Sequence, residues 1–328
     1  NEIFPDFPTQ LSEIWRDSEL TKVNIAEQRF KHAFAKLINS ETLEHSSHYK
    51  LSPTSSNSID LVAAYLAVEA PRVLLVEPTF DNLALLLQRR GCVLQPLDEA
   101  HLQRPLNAQE LFSLFDILSF DTLFLVNPNN PTGTTIGPEC LMLIADYCAQ
   151  RKKILVLDTT FRMYTLHQHD ERAYLELSGC HYFIIEDTGK TWPTHDLKVS
   201  LISYSRDCSP LFDIIYDEVY LCHSRFAMLM FESLFDRTRY AGIAATIQAP
   251  VNDRHAYLIK KMSASMVYPK TQRTRTTLPM EWFEMKCNER FSDIDIVNYL
   301  ANKDVHVLPG SFFYWSRKRP PYTAFRVS

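Results

Sequence analysis

The chain has 328 residues, 46% of them hydrophobic and 22% charged, with a formal net charge of -5. This is the balance of a globular protein of about two domains, and it excludes a largely disordered chain. The acidic charge gives no support for nucleic-acid binding, and no apolar run approaches the roughly 18 residues of a membrane span.

The first forty residues read as mostly helical and are expected to pack against the smaller unit formed later in the chain. Ser52-Pro53-Thr54-Ser55-Ser56-Asn57-Ser58 then opens an amphipathic helix over Ile59 to Val68. Arg72 to Val76 reads as a buried strand ended by Pro78, Asn82 to Arg90 as a helix closed by Gly91, and Cys92 to Leu94 as another strand. Further strands are expected at 121–126, 154–157, 182–185 and 199–204, with a helix at 138–150 that carries Pro in its first turn. Continuous apolar runs alternating with helices predict a parallel sheet covered on both faces. Ligands bind such sheets at the carboxyl ends of the strands.

From about Asp217 the pattern changes. Glu218 to Gln248 and Asn252 to Tyr268 read as helices, followed by a strand at 281–286, a helix at 293–302 and strands at 305–307 and 322–327. That is a smaller α+β unit.

The seven cysteines (Cys92, Cys140, Cys148, Cys180, Cys208, Cys222 and Cys287) form no C-x-x-C pair, so reduced thiols in a cytoplasmic protein are expected. Asn1 to Gln10 lack the charged and apolar regions of a signal peptide. Arg317-Lys318-Arg319 reads as a solvated turn. His167, His169 and Asp170 have no further ligand set beside them, so no metal is expected.

The sharpest string is Asn127-Pro128-Asn129-Asn130-Pro131-Thr132-Gly133, directly after a strand. Asp158 closes the next strand and Lys190 follows a third. An Asn, an Asp and a Lys at three successive strand ends are expected to converge on one pocket.

This string resembles that of the class I/II aminotransferases, the pyridoxal-phosphate (PLP) enzymes of fold type I, and the resemblance covers roughly residues 50–328. It implies an α/β chain in which residues 40–246 form a large PLP-binding domain with a mostly parallel sheet covered by helices. Residues 1–39 and 247–328 would form the smaller α+β domain with an N-terminal helical segment. It implies a homodimer acting on a small-molecule amino acid substrate. Lys190 would form the Schiff base and carry the proton at Cα, a role that needs a lowered pKa. Asp158 would pair with the pyridine nitrogen, and Asn130 with the phenolic oxygen. Ser55, Ser56 and Asn57 lie where the phosphate sits on a helix N-terminus, with Thr54 in place of the usual glycine. Glu77-Pro78-Thr79-Phe80 resembles the element whose aromatic, here Phe80, stacks on the ring. Leu308-Pro309-Gly310-Ser311-Phe312-Phe313 resembles a family strand turn, and Arg326 the arginine whose planar fork binds the substrate α-carboxylate.

Four departures stand out. Phe161 replaces the tyrosine that gives the cofactor a second hydrogen bond. Asp187 replaces a Ser or Thr near the phosphate, and a carboxylate there is expected to face away from it. Lys198 replaces an arginine, and the glycines of that stretch are absent from Thr191 to Leu197. The Asn-x-Asn-Pro substrate loop is missing. Asp187 reads either as a structural partner of Lys198 or a backbone cap, or as the counter-charge for a cationic substrate. His195 is expected to be a satisfied loop histidine near the pocket mouth, and Tyr49 a candidate to reach a neighbouring subunit's phosphate. Three functions stay open: an aminotransferase; an oxidase, lyase or cyclase on a basic amino acid such as arginine; and a PLP-fold binding module without catalysis.

Overall fold

The computed structural model describes residues 3–103, 107–166, 169–270, 276–285, 291–317 and 322–328. Seven strands form one sheet: β1 (Tyr49–Ser52), β2 (Arg72–Glu77), β3 (Val93–Asp98), β4 (Thr122–Val126), β5 (Ile154–Asp158), β6 (His181–Asp187) and β7 (Ser200–Tyr204). Their order is β1-β7-β6-β5-β4-β2-β3. Pairing from β3 across to β6 is parallel, while β7 runs opposite to both its neighbours, β6 and β1. Strands β4, β5 and β7 are buried along their whole length. The apolar runs of β4 and β5 are what a sheet covered on both faces favours. Helices Ser55–Glu69, Pro138–Gln150 and Ser209–Val219 contribute to the core that covers it.

The register brings the strand ends to one level. Val126 pairs with Asp158, and Asp158 with Ile185. Asp187 pairs with Ser200, and Ser200 with Ser52. The Asn127–Gly133 string, Asp158, Asp187 and the start of helix Ser55–Glu69 therefore share one edge of the sheet.

A second, antiparallel sheet has the order β10-β11-β9-β8. Its strands are β8 (Val267–Pro269), β9 (Glu281–Met285), β10 (Leu308–Pro309) and β11 (Ala324–Val327). Gly310 is required beside it: a Cβ there would lie 2.7 Å from the Ala324 carbonyl oxygen.

Several expected elements differ. The long helix over Glu218 to Gln248 is broken between Val219 and Arg225, where the Ser224 hydroxyl caps a new helix, Arg225–Ala241, by accepting from the Ala227 amide. Gly242, at φ 88°, then ends that helix. The helix expected to reach Tyr268 stops at Met262, where the Ser263 and Ser265 hydroxyls bond back to the Lys260 and Met262 carbonyls. β8 follows. Val305 to Val307 is not a strand: Asp304 turns at φ 58°, the Val305 amide bonds to Leu300, and pairing begins at Leu308. β1 had no strand signal of its own.

The N-terminal helices rest chiefly on Arg225–Ala241, where the Phe30 and Phe34 rings each lie 5.2 Å from that of Phe235. Trp192, Phe161, Ile247 and Leu278 join the same apolar cluster. The six described cysteines are all free thiols. Cys287, His167, Lys318 and Arg319 lie outside the described residues. No helix among the described residues is long and apolar enough to cross a membrane.

Candidate active site

Each asparagine of the Asn127–Gly133 string has a separate task. Asn127 closes the loop: its Oδ1 accepts from the Ile136 amide at 3.0 Å. Asn129 is buried, and its Nδ2 donates to the Pro78 carbonyl at 2.9 Å and to Glu99 Oε2 at 2.7 Å. Asn130 is buried and faces β11, its Oδ1 accepting from Arg326 Nη1 at 3.1 Å. Arg326 lies over the Phe313 ring, 5.3 Å from its centroid. Its buried Nε has no hydrogen-bond partner among the described residues. Burial holds its pKa below the ordinary arginine value, with Asp81 acting the other way.

Asp158 is buried at the end of β5. Its Oδ1 takes two bonds from Thr160, one from the amide at 3.0 Å and one from the hydroxyl. Burial pushes its pKa up to about 6, against the Thr160 bonds and with added repulsion from Asp187 and Glu186. No cation neutralises it within these contacts. Phe161, one residue past Thr160, is buried in the N-terminal cluster, 6.2 Å from the Tyr164 ring.

Lys190 follows β6 in a turn fixed by its backbone. The Tyr164 hydroxyl donates to its carbonyl at 2.8 Å, and Trp192 is anchored through Nε1 on Thr238 Oγ1 at 3.0 Å. Lys190 itself is exposed. Gly189 is kept beside it because the Lys198 stem crosses there: a Cβ would lie 2.6 Å from Lys198 Cγ and Cδ. Lys198 Nζ reaches Asp196 Oδ1 at 3.4 Å. His195 and Asp196 take left-handed φ values of 49° and 68° in a stretch without glycine. His195 is exposed.

Asp187 turns toward the helix start. Its Oδ1 accepts from the Gly189 amide at 3.0 Å and its Oδ2 from the Ser55 hydroxyl at 3.1 Å. Its carboxylate thus lies at the helix start, where the sequence reading has it facing away: β6–β7–β1 pairing sets Asp187 level with Ser200 and Ser52, three residues before Ser55. Burial raises its pKa, opposed by these two bonds and by Lys190 and Lys198. Thr54 caps the helix: its hydroxyl donates to Asn57 Oδ1 at 2.7 Å and accepts from the Asn57 amide at 3.3 Å. The Asn57 amide is therefore engaged, while those of Ser55 and Ser56 remain at the helix start with its positive dipole. Phe80 is 38% exposed at the head of helix Asp81–Arg89. Tyr49 lies on β1 beneath Lys31 Nζ, 5.0 Å from the ring centroid.

Three features had no motif. Ser52, Ser58 and Ser200 form a buried hydroxyl chain that ends on the Glu186 carbonyl. Arg162 and Arg172 both bond to buried Glu186, and Arg162 also to Glu171. Glu99 collects Asn129, Thr132, Thr134 and Lys270. The available signal was a charged residue at the end of an apolar run, which does not say what it meets. A cavity of about 560 Å³ opens beside Asn127 and Arg162, but Asn130, Asp158, Lys190 and Arg326 do not line it.

These groups suit a flat heteroaromatic guest with an anionic tail. Were such a guest bound, Asp158 Oδ2 would meet a ring N–H, Asn130 Nδ2 a phenolic oxygen, and the helix start with Lys198 a phosphate. The orphaned Arg326 Nε offers itself to a carboxylate. An open, mostly parallel sheet with such a strand-end site fits a PLP-dependent enzyme of fold type I, and PLP is the cofactor of the family that the chain matches.

The chain belongs to the class I and II aminotransferase family, which it matches over residues 23–328. Among solved structures it is similar to MppP soaked with the product 2-ketoarginine, at 27% identity and a TM-score of 0.88, covering 99% of this chain and 91% of that one. It is also similar in fold to LysN, the α-aminoadipate aminotransferase of Thermus thermophilus, at 14% identity and a TM-score of 0.78, covering 100% and 84%. YbdL from Escherichia coli, identified with a methionine aminotransferase function, matches at 16% identity and a TM-score of 0.73, covering 92% and 78%.

Proposed function

We propose that this enzyme is an aminotransferase that takes an L-amino acid with a cationic side chain, arginine above all, to its 2-keto acid. One observation carries the reading. Strands β4, β5 and β6 are neighbours, so Asp158 is flanked by Asn130 with Arg326 on one side and by Asp187 on the other. A cation on one flank and a buried carboxylate on the other match an amino acid with an α-carboxylate and a positive end. MppP, which is 27% identical over 99% of this chain and was soaked with its product 2-ketoarginine, supports the same substrate class.

In this reading PLP supplies the electron sink for charge developing at Cα. Arg326 grips the α-carboxylate through two parallel N–H bonds, and Asn130 holds Arg326 in place. Asp158 keeps a proton on the ring nitrogen. Lys190 Nζ anchors the cofactor and moves the proton at Cα. The Ser55 and Ser56 amides, with Lys198, neutralise the phosphate, and Phe80 covers the ring. Asp187, held by Ser55 and the Gly189 amide, would supply the counter-charge for the substrate's cationic end. A homodimer, the state expected of the family, is part of the proposal.

A second reading, an oxidase, lyase or cyclase on the same amino acid, is favoured by Phe161, which removes a hydroxyl from the phenolic-oxygen side. Assay of the PLP-loaded enzyme with L-arginine and with L-methionine, with and without a keto-acid acceptor, separates these readings. Acceptor-dependent, repeated formation of 2-ketoarginine supports transamination. Repeated turnover of arginine without a keto-acid acceptor, with or without release of ammonia, selects the second reading. Preference for methionine overturns the cationic substrate class, and Asp187→Asn should abolish any preference for arginine.

A further inference from the structure

Glu99 is a carboxylate buried just beyond β3, anchored by its amide on the Glu77 carbonyl at 3.0 Å. Its Oε2 accepts from Asn129 Nδ2, Thr132 Oγ1 and Thr134 Oγ1, each at 2.7 Å. These residues belong to the loop that carries Asn130. The loop is stiffened by its own backbone, with Asn129 N bonded to the Thr134 carbonyl at 2.8 Å and Gly133 N to the Asn129 carbonyl at 2.7 Å. The other Glu99 oxygen, Oε1, accepts from Lys270 Nζ at 2.8 Å.

Lys270 comes from the second sheet. Its amide donates to the Trp282 carbonyl at 2.9 Å, and Trp282 is the cross-strand partner of Arg326. Its ammonium also donates to the Tyr322 hydroxyl at 3.1 Å and lies 4.0 Å from Glu284 Oε1. Burial works against that charge, but Glu99 and then Glu284 outweigh it and hold its pKa above the ordinary lysine value. Two cations of the second sheet side thus reach one loop: Lys270 through Glu99, which the loop side chains bond, and Arg326 directly on Asn130. Between the two cations stands one residue of β9. The contacts of Thr79 with Phe313 and of Glu77 with Ser316 tie a different segment to the end of β2.

We propose that Glu99 and Lys270 are a positioning pair, whose contact sets β11 against the Asn127–Gly133 loop and so aims the Arg326 guanidinium at the substrate α-carboxylate. The inference rests on the reading of Arg326 as the carboxylate clamp and adds to it the device that holds the clamp. Charge-assisted bonds between buried groups are short and directional, so they fix geometry more tightly than apolar contact does. A clamp displaced by even an ångström loses its second bond to a planar carboxylate.

The test compares L-arginine with agmatine, which keeps the guanidinium and lacks the carboxylate, on the PLP-loaded enzyme. Arg326→Ala is the control: if it leaves the KM for L-arginine unchanged, the clamp reading fails and this inference with it. The double variant Glu99→Gln/Lys270→Met removes both charges together, so no lone buried ion remains. It is expected to raise the KM for L-arginine about tenfold with kcat within about twofold, and to leave agmatine binding unchanged. Lys270→Arg, which keeps the ion pair, should restore most of the KM. If the double variant does not fold, Thr134→Val removes one bond to Glu99 at constant charge and should raise the KM about threefold. An unchanged KM for L-arginine in a folded variant, or equal weakening of L-arginine and agmatine, overturns the proposal while leaving the clamp reading intact.

Discussion

The Ser55 hydroxyl donates to Asp187 Oδ2 across 3.1 Å, joining the first turn of helix Ser55–Glu69 to the end of β6. A serine hydroxyl has one proton to give. Spent on Asp187, it leaves the phosphate to the helix amides and Lys198. Ser55→Ala is therefore expected to weaken PLP binding by less than about threefold, while the KM for L-arginine rises as Asp187 loses a fixed orientation. Equilibrium titration of the cofactor by its visible absorption checks this. A loss of tenfold or more would make Ser55 a phosphate ligand through its hydroxyl.

Asp158 links the site to pH. Its pKa is pushed up to about 6 from the ordinary 3.8, chiefly by burial. A raised folded-state pKa contributes stability that is complete below pH 3.8 and is lost as pH rises through about 6, about 3 kcal/mol in all. Asp187 shifts in the same direction. Without cofactor, Asp158→Asn should be more stable than the wild type at pH 7, with the gap closing toward pH 4. Adding PLP should reverse the order at pH 7, since a ring N–H gives the carboxylate its partner. Melting temperatures of both proteins across that range, with and without PLP, measure it; a pH-independent gap would remove the argument.

Two glycines are predicted to fail differently. At Gly310 an added Cβ meets backbone, the Ala324 carbonyl oxygen at 2.7 Å. Gly310→Ala should cost about 1–3 kcal/mol of stability. At Gly189 the Cβ meets the flexible Lys198 stem at 2.6 Å, which moves aside and carries Nζ with it. Gly189→Ala should leave the cofactor-free melting temperature nearly unchanged and weaken PLP binding about tenfold. Thermal melts beside cofactor titrations distinguish the two.

Glu186 is the shared partner of two buried arginines, at 2.9 Å from Arg162 Nε and 3.0 Å from Arg172 Nη2. Glu186→Ala leaves Arg172 without a carboxylate in this cluster. A loss of about 3–5 kcal/mol is expected, read by denaturant unfolding. Loss of less than about 1 kcal/mol would mean that water or a side-chain shift replaces the carboxylate.

Lys190→Ala should abolish turnover and the borohydride-sensitive visible band of the loaded enzyme. Among the described residues no other lysine stands at this strand end except Lys198, whose ammonium is directed to Asp196. Retained turnover would reject Lys190 as the cofactor's anchor.

The strands and their polar ends were legible because they are written locally. Runs such as Thr122–Val126 and Ile154–Asp158 are apolar throughout and stop at Asn127 and Asp158. Strands buried on both faces commonly read this way, although β7, equally buried, carries Ser200 and Ser203. The Asn127–Gly133 string, with Asp158 and Lys190 after it, therefore pointed to one edge of one sheet. The break at Tyr220–Ser224 was less legible, since the apolar residues on either side keep a helical spacing and only the Ser224 cap marks the interruption.

By itself the sequence indicated the family, through the resemblance of its motifs, and the parallel strands with Asn127–Gly133 and Asp158 at their ends, through the periodicity of the apolar runs. Only the tertiary structure decided what these groups touch. That Asp187 meets Ser55 depends on the register of β6, β7 and β1. That Glu99 meets Lys270 depends on how a second sheet docks onto the first. Such contacts join residues 132 and 171 positions apart, and no local pattern encodes which buried donor will face which buried acceptor. The requirement that each be paired is general; the partner is chosen by packing.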